Sequence, residues 1–277
     1  MQGKHLEGKI AWVTGSSRGL GQAIALQLAR SGASVVIHGS TMNSSSYFGE
    51  GGSLAEVAEK ISKDTGVQAM YVAGDLTKPE NVQGMVKQIH EKFGHIDILV
   101  NNAGGDTSSK GAAGPNAGKI KEGNDALFMP YEEIRTILDR NLWTCISVCK
   151  EVAPEMIKRK KGWIVNIGSI AGMFGGEGGA IYGVAKAAIH QYTRSLAALL
   201  RQHGVNANAV APGDTLSPRF EASRPIDNER KNSYGSLIRY GYPSEVADAV
   251  EFLVSDASAH ITGQVLRVDG GTQLWAG

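Results

Sequence analysis

Of the eight tyrosines in this 277-residue chain, only Tyr182 is followed four positions later by a lysine, Lys186. On a helix that spacing puts both side chains on one face. Ser169 closes an apolar run shortly before them. A phenol and an ammonium held together are equipped to move a proton to or from an oxygen. A free phenol titrates near pH 10, so exchange near neutrality requires roughly 4 kcal/mol of preferential phenolate stabilisation. A helix start near Gly179 contributes only about 0.3 to 1 kcal/mol through its dipole. The cation of Lys186 is therefore expected to supply most of the rest.

These residues need elements to hold them. Short β-branched runs alternate with amphipathic stretches: strands over 9–14, 34–38, 67–72, 97–101, 162–167, 205–210 and 264–268, and helices over 20–30, 53–65, 80–93, 131–160, 179–203 and 244–255. Near-continuous apolar strands separated by helices predict an α/β fold, a doubly wound Rossmann-type parallel sheet of about seven strands with helices on both faces. We expect one domain over residues 1–277, interrupted by a Gly/Ala/Ser/Lys-rich insertion near 105–130 and a second long connection near 213–243. Both emerge where such sheets bind ligands, beyond the carboxyl ends of the strands.

Between the first strand and helix lies Thr14-Gly15-Ser16-Ser17-Arg18-Gly19-Leu20-Gly21. Glycines allow the backbone to turn tightly and approach a pyrophosphate at the amide-rich end of a helix. The spacing differs from Gly-x-Gly-x-x-Gly and resembles the TGxxxGxG motif of the short-chain dehydrogenase/reductase family. Asn101-Asn102-Ala103-Gly104 is similar to that family's NNAG, and Asp75 to its adenine-contacting aspartate. Asn141, Ser169, Tyr182 and Lys186 match its tetrad, Pro212-Gly213 its turn beside the nicotinamide, and Val268-Asp269-Gly270-Gly271 its closing strand.

The resemblance implies a nicotinamide-dependent oxidoreductase that interconverts a ketone and a secondary alcohol. Tyr182 would donate or accept the proton, Ser169 orient the substrate oxygen, Lys186 hold the nicotinamide ribose and Asn141 sustain a water chain. Cofactor contacts are expected from Gly15, Ser17, Arg18, Gly19, Leu20, Gly21, Ser40, Asp75, Leu76, Asn102, Ala103, Gly104, Pro212, Gly213 and Thr215, with Tyr182 and Lys186. Substrates of the 3-oxoacyl, sugar or polyol type fit the resemblance. So does a homotetramer or homodimer built through the fifth and sixth helices of that fold, to which Trp143, Cys145, Tyr192 and Leu196 would add apolar surface.

NAD sites usually end the second strand in an acid that takes the ribose hydroxyls. Here the strand ends His38-Gly39-Ser40-Thr41. With no carboxylate to repel a 2′-phosphate, and with Arg18, Ser40 and Thr41 able to bind one, NADP is expected over NAD. Arg219 and Arg224, in the connection after Gly213, can engage an anionic or polyhydroxylated substrate. Met173, Phe174 and Phe220 are candidates for an apolar part of the pocket.

Composition excludes other classes. The 28 basic and 27 acidic residues are interspersed, leaving net charge +1 and no nucleic-acid surface. The two cysteines, Cys145 and Cys149, sit one helical turn apart and read as buried thiols, so no metal site is expected. With no apolar leader at the N-terminus and no membrane-length apolar run, a cytoplasmic protein is expected. Two alternatives remain: a non-enzymatic dinucleotide-binding redox sensor, which has no need of the tetrad, and an epimerase or dehydratase, which usually has a longer chain.

Overall fold

The computed structural model describes residues 4–48, 52–106 and 123–274. Seven parallel strands form one sheet: β1 (Ile10–Val13), β2 (Ser34–Gly39), β3 (Ala69–Ala73), β4 (Ile98–Asn101), β5 (Gly162–Ile167), β6 (Val205–Pro212) and β7 (Val265–Val268). Their order is β3-β2-β1-β4-β5-β6-β7. The order reverses between β1 and β4, which opens a crevice beyond the carboxyl ends of those strands.

Alternation within the strands assigns the two cores. Ala11 and Val13 face one side with α1 (Gly19–Arg30), α2 (Leu54–Thr65) and α9 (Pro243–Leu253). Ile10 and Trp12 face the other with α3 (Pro79–Phe93), α5 (Thr144–Arg159) and α6 (Ala180–Leu200). Every residue of β1, β4 and β5 is buried, as expected where helices cover both faces of a parallel sheet. Local signals fix helix starts: Ser53 and Glu56 form a reciprocal capping box before α2, and Pro79 and Pro243 open α3 and α9.

Two expectations are revised. The helix expected over 131–160 divides into α4 (Tyr131–Leu138), a π-helical turn (Asp139–Trp143) and α5. Apolar periodicity runs through the turn, so the sequence gives no sign of the extra residue. The turn buries Asn141 completely. Cys145 and Leu196, read as surface for assembly, are 4% and 8% exposed and belong to the core, whereas Trp143 is 41% exposed. The connection after β6 carries α7 (Pro218–Ser223) and α8 (Asn228–Asn232). Most of the 105–130 insertion lies outside the described residues.

Candidate active site

Turns that follow β1, β3, β4, β5 and β6 converge on the crevice. Thr14 follows β1 and accepts hydrogen bonds at its hydroxyl from the amides of Asn102 (3.0 Å) and Ala103 (3.1 Å). The Asn102 carboxamide donates to the carbonyls of Thr14 (3.0 Å) and Gly15 (2.9 Å). The glycine turn is thereby clipped to the turn after β4. Gly15 has φ +62°, and a Cβ there would press on the Ala103 backbone, so this glycine serves close packing as well as conformation.

The start of α1 has no side-chain cap and no acidic residue in its first turn. Such a helix end suits a phosphate, and a dinucleotide fits here. Ser17 is buried, Gly19 and Leu20 start α1, and the Leu20 side chain packs on the core. Gly21 lies within the first turn, against Asn102. Arg18 extends to the loop after β2, where its Nη1 donates to the Ser44 carbonyl at 2.9 Å. Ser40 is exposed in that loop.

His38 is the residue that sequence reasoning passed over. Its Nδ1 accepts the Gly15 amide at 3.0 Å, while Nε2 lies 3.0 Å from the Gly74 carbonyl. One neutral tautomer satisfies both contacts. Burial lowers its pKa from 6.5 to about 4. The ring ties the ends of β1, β2 and β3 together. Its signal is a polar residue near the end of an otherwise apolar strand, where NAD sites usually carry a carboxylate.

Asp75 caps the turn after β3, accepting from the Thr77 amide (2.9 Å) and hydroxyl (2.8 Å). The side chain of Leu76 is in the core, which leaves only its backbone to face a ligand. Pro212 ends β6, Gly213 packs on Asp269, and the Thr215 hydroxyl donates to the Gly213 carbonyl at 3.1 Å.

The chemistry-bearing side chains meet beyond β5. Ser169 caps a short turn through Ala171 N (3.2 Å), and that turn packs on the start of α6, where Gly183 meets the Ala171 carbonyl and Gly172 meets the backbone of Lys186 and Ala187 so closely that neither has room for a Cβ. Gly179 is the N-cap of α6, so Tyr182 stands in the first turn. One turn on, Lys186 is buried beneath it, with Nζ 5.6 Å from the Tyr182 ring centroid and donating to the Ile167 carbonyl at 2.8 Å. Asn141 uses its carboxamide on backbone: Oδ1 accepts Gly105 N (2.8 Å), and Nδ2 donates to Gly105 O (3.1 Å) and Ile137 O (2.9 Å). It fastens the turn after β4 to the π-turn.

Burial raises the Tyr182 pKa above its ordinary value, and Ser169, Arg219 and Arg224 oppose this. The Lys186 pKa is lowered by burial from 10.5 to about 8. Arg219 comes from α7, with Nη1 donating to the Gly104 carbonyl at 3.2 Å. Of the apolar candidates, Phe174 is 46% exposed, and Phe220 packs edge-on against Tyr240 with the Arg224 guanidinium over its ring.

Residues 9–227 match the sequence profile of a family described as short chain dehydrogenase. The chain belongs to that family. Over 98% of this short-chain dehydrogenase and 99% of the relative, it is 36% identical to the 3-oxoacyl-(acyl-carrier-protein) reductase of Vibrio cholerae. It is also 36% identical to the 3-oxoacyl-(acyl-carrier-protein) reductase of a Synechocystis strain, over 98% of this chain and 99% of that one. Among solved structures, it is similar to a putative gluconate dehydrogenase from Agrobacterium tumefaciens, with TM-score 0.80, 32% identity and 97% of each chain covered. The chain is thus a nicotinamide-dependent oxidoreductase that interconverts a ketone and a secondary alcohol. The redox-sensor alternative finds no support among these relatives.

Proposed function

We propose that this dehydrogenase uses NADP(H) and that Tyr182 is its proton donor and acceptor, with Ser169, Lys186 and Asn141 in supporting roles. The observation that carries the reading is the Tyr182 ring lying over Lys186 Nζ at 5.6 Å, at the start of α6 against which the turn capped by Ser169 packs. When bound, the nicotinamide supplies or accepts the hydride. In the reductive direction the Tyr182 hydroxyl gives its proton to the carbonyl oxygen as that oxygen gains charge, and in oxidation the phenolate takes the proton back. The Ser169 hydroxyl holds the same oxygen and keeps it in line with the phenol. Lys186, fixed by the Ile167 carbonyl, keeps donors for the ribose hydroxyls and a cation beneath the phenol ring. Asn141 acts at one remove, by holding Gly105.

The preference for NADP rests on three features. No carboxylate ends β2, His38 occupies that position with its ring turned inward, and Arg18 is held beside the Ser40–Ser44 loop. A 2′-phosphate there meets a guanidinium and hydroxyls. Gly15, Ser17, Gly19 and Gly21, with the turns at Asn102–Gly104 and Pro212–Thr215, complete the proposed cofactor groove.

The substrate is a small carbonyl or alcohol compound of the 3-oxoacyl, sugar or polyol type, classes that the names of the relatives suggest. The same reading makes the protein cytoplasmic and a homodimer or homotetramer. It is supported by two free, buried thiols, by the exposed Trp143 and by the fact that no described helix is long and apolar enough to cross a membrane. The direct test is initial-rate assay of the purified chain with NADPH and with NADH against a panel of ketones. Turnover favouring NADPH is expected. Equal or better turnover with NADH would overturn the cofactor assignment.

A further inference from the structure

β5 is pinned to α6 at two neighbouring strand residues. The Ile167 carbonyl accepts from Lys186 Nζ at 2.8 Å, and the Asn166 carboxamide donates to the Thr193 hydroxyl at 2.9 Å. Thr193 stands about two turns beyond Lys186 on α6. Between them, His190 lies against Gly168 so closely that a Cβ there would collide with its ring. Asn166 and Thr193 are both wholly buried. The Thr193 hydroxyl also donates to the Ile189 carbonyl at 2.8 Å, so its proton is committed to the helix while it accepts from the strand. Asn166 Oδ1 in turn accepts from Asn101 Nδ2 at 2.9 Å and from Cys145 Sγ at 3.4 Å. One carboxamide thus joins α6 to β4, just before Asn102, and to α5, just after the π-turn that buries Asn141.

We propose that Asn166 and Thr193 are positioning residues of the reaction, whose hydrogen bond sets the height and rotation of α6 on the sheet and so places Lys186 Nζ beneath the Tyr182 ring. This rests on the reading of Lys186 and Tyr182 given above and deepens it. Apolar burial is non-directional, so a helix held by it alone can settle in more than one place. The Lys186 bond does not supply the missing direction, because a flexible four-carbon stem follows its carbonyl wherever the helix lies. Threonine has no such slack. Its side chain is short and stiff at χ1, and a buried donor that loses its acceptor pays the full desolvation penalty. Both residues are enclosed, so they act through Lys186 and not on a ligand. A misplacement of about 1 Å can lower a rate about 100-fold, which gives a rigid pin farther along α6 control over the chemistry at its first turns.

The test is a double-mutant cycle between Thr193→Val and Lys186→Met in the full chain, read as NADPH affinity by fluorescence titration and as kcat for ketone reduction. Valine keeps the shape of threonine and removes the hydroxyl. Thr193→Val alone is expected to lower kcat by about 10- to 100-fold and to weaken NADPH binding by about 3- to 10-fold. On the Lys186→Met background it should change NADPH affinity by less than about twofold, because the group it positions is gone. Thr193→Ser keeps the bond and should hold both readouts within about twofold of the unsubstituted chain. Val152→Ala is the control: Val152 is fully buried on α5 in the same core, and its truncation destabilises the fold while kcat stays within about twofold. Urea unfolding checks that each variant is folded, and Thr193→Ala takes the place of Thr193→Val if valine is not tolerated. Unchanged kcat and affinity in Thr193→Val, an equal further loss of affinity on the Lys186→Met background, or a loss in Val152→Ala as large as in Thr193→Val would overturn the positioning role. Normal turnover and affinity in Lys186→Met would instead bring down the reading of Lys186, and this inference with it. Absence of turnover by the unsubstituted chain with every carbonyl compound would remove the oxidoreductase reading, and the affinity arm of the cycle would still decide whether Thr193 positions Lys186.

Discussion

The Lys186 ammonium donates to the main-chain carbonyl of Ile167, 2.8 Å away, while lying under the Tyr182 ring. Burial lowers its pKa from 10.5 to about 8. Between those values the unfolded chain binds more protons than the folded one, so stability rises with pH across that window. At pH 7 the buried charge is a cost that function retains. Lys186→Met is therefore expected to unfold at higher urea concentration at pH 7, by about 1 to 3 kcal/mol. The difference from the unsubstituted chain shrinks between pH 8 and 10.5. The variant loses turnover and binds cofactor more weakly. Equal unfolding midpoints at pH 7 would show that Lys186 is not destabilised by its site.

Acid stability should report on His38. Its folded pKa of about 4 lies below the ordinary 6.5, so the unfolded state binds more protons between those values and stability falls as pH drops through that window. His190, buried on α6, is lowered to about 4 in the same way. Each histidine contributes up to about 3 kcal/mol to the loss between pH 6.5 and 4. His38→Gln keeps an acceptor for the Gly15 amide and removes one of the two titrations. Its unfolding free energy, followed by urea titration at each pH, should depend on pH about half as steeply. An unchanged slope would mean that His38 is protonated in the fold.

Much of this was legible in the sequence because the signals are local. Strand and helix positions followed from alternating apolar runs, and the turn residues followed from glycines placed after strands. The spacing of Tyr182 and Lys186 placed both on the first two turns of one helix, and the structure brings Ser169 to them. What escaped were relationships with no local mark. The π-turn that buries Asn141 follows an uninterrupted apolar periodicity. The inward turn of His38 depends on Gly15 and Gly74, which are distant in sequence. The seat of Arg219 against Gly104 and Gly105 depends on how the connection after β6 folds back over them. Burial, which raises the Tyr182 pKa, cannot be read from spacing.

Gly105 has φ +131°, and a Cβ there would strike Arg219. Gly105→Ala is expected to cost about 1 to 3 kcal/mol of stability through backbone strain, and to slow turnover by displacing Arg219 and loosening the Asn141 clamp. Gly84 provides the contrast: it lies within α3 with nothing within 4 Å of its missing Cβ. Gly84→Ala should stabilise by roughly 0.5 to 1 kcal/mol. Thermal unfolding and initial rates on both variants check the pair, and a Gly105→Ala protein as stable and active as the original would refute the clamp.

Cofactor choice should depend on Arg18. Removing the guanidinium in Arg18→Leu takes away a charge-assisted partner for a 2′-phosphate but nothing that NADH requires. The NADPH-to-NADH ratio of kcat/KM is expected to fall by about 10- to 100-fold. A ratio that does not move would return Arg18 to a loop-bracing role at the Ser44 carbonyl.

The most direct test of the proposed proton transfer is Tyr182→Phe, which deletes one oxygen and leaves the ring over Lys186. Initial rates of NADPH-dependent ketone reduction should fall by about a thousandfold, while NADPH affinity, followed by fluorescence titration, stays within about twofold because the oxygen's contribution there is small. Turnover within a factor of about ten of the unsubstituted chain, with cofactor bound normally, would contradict Tyr182 as the acid and base of this enzyme.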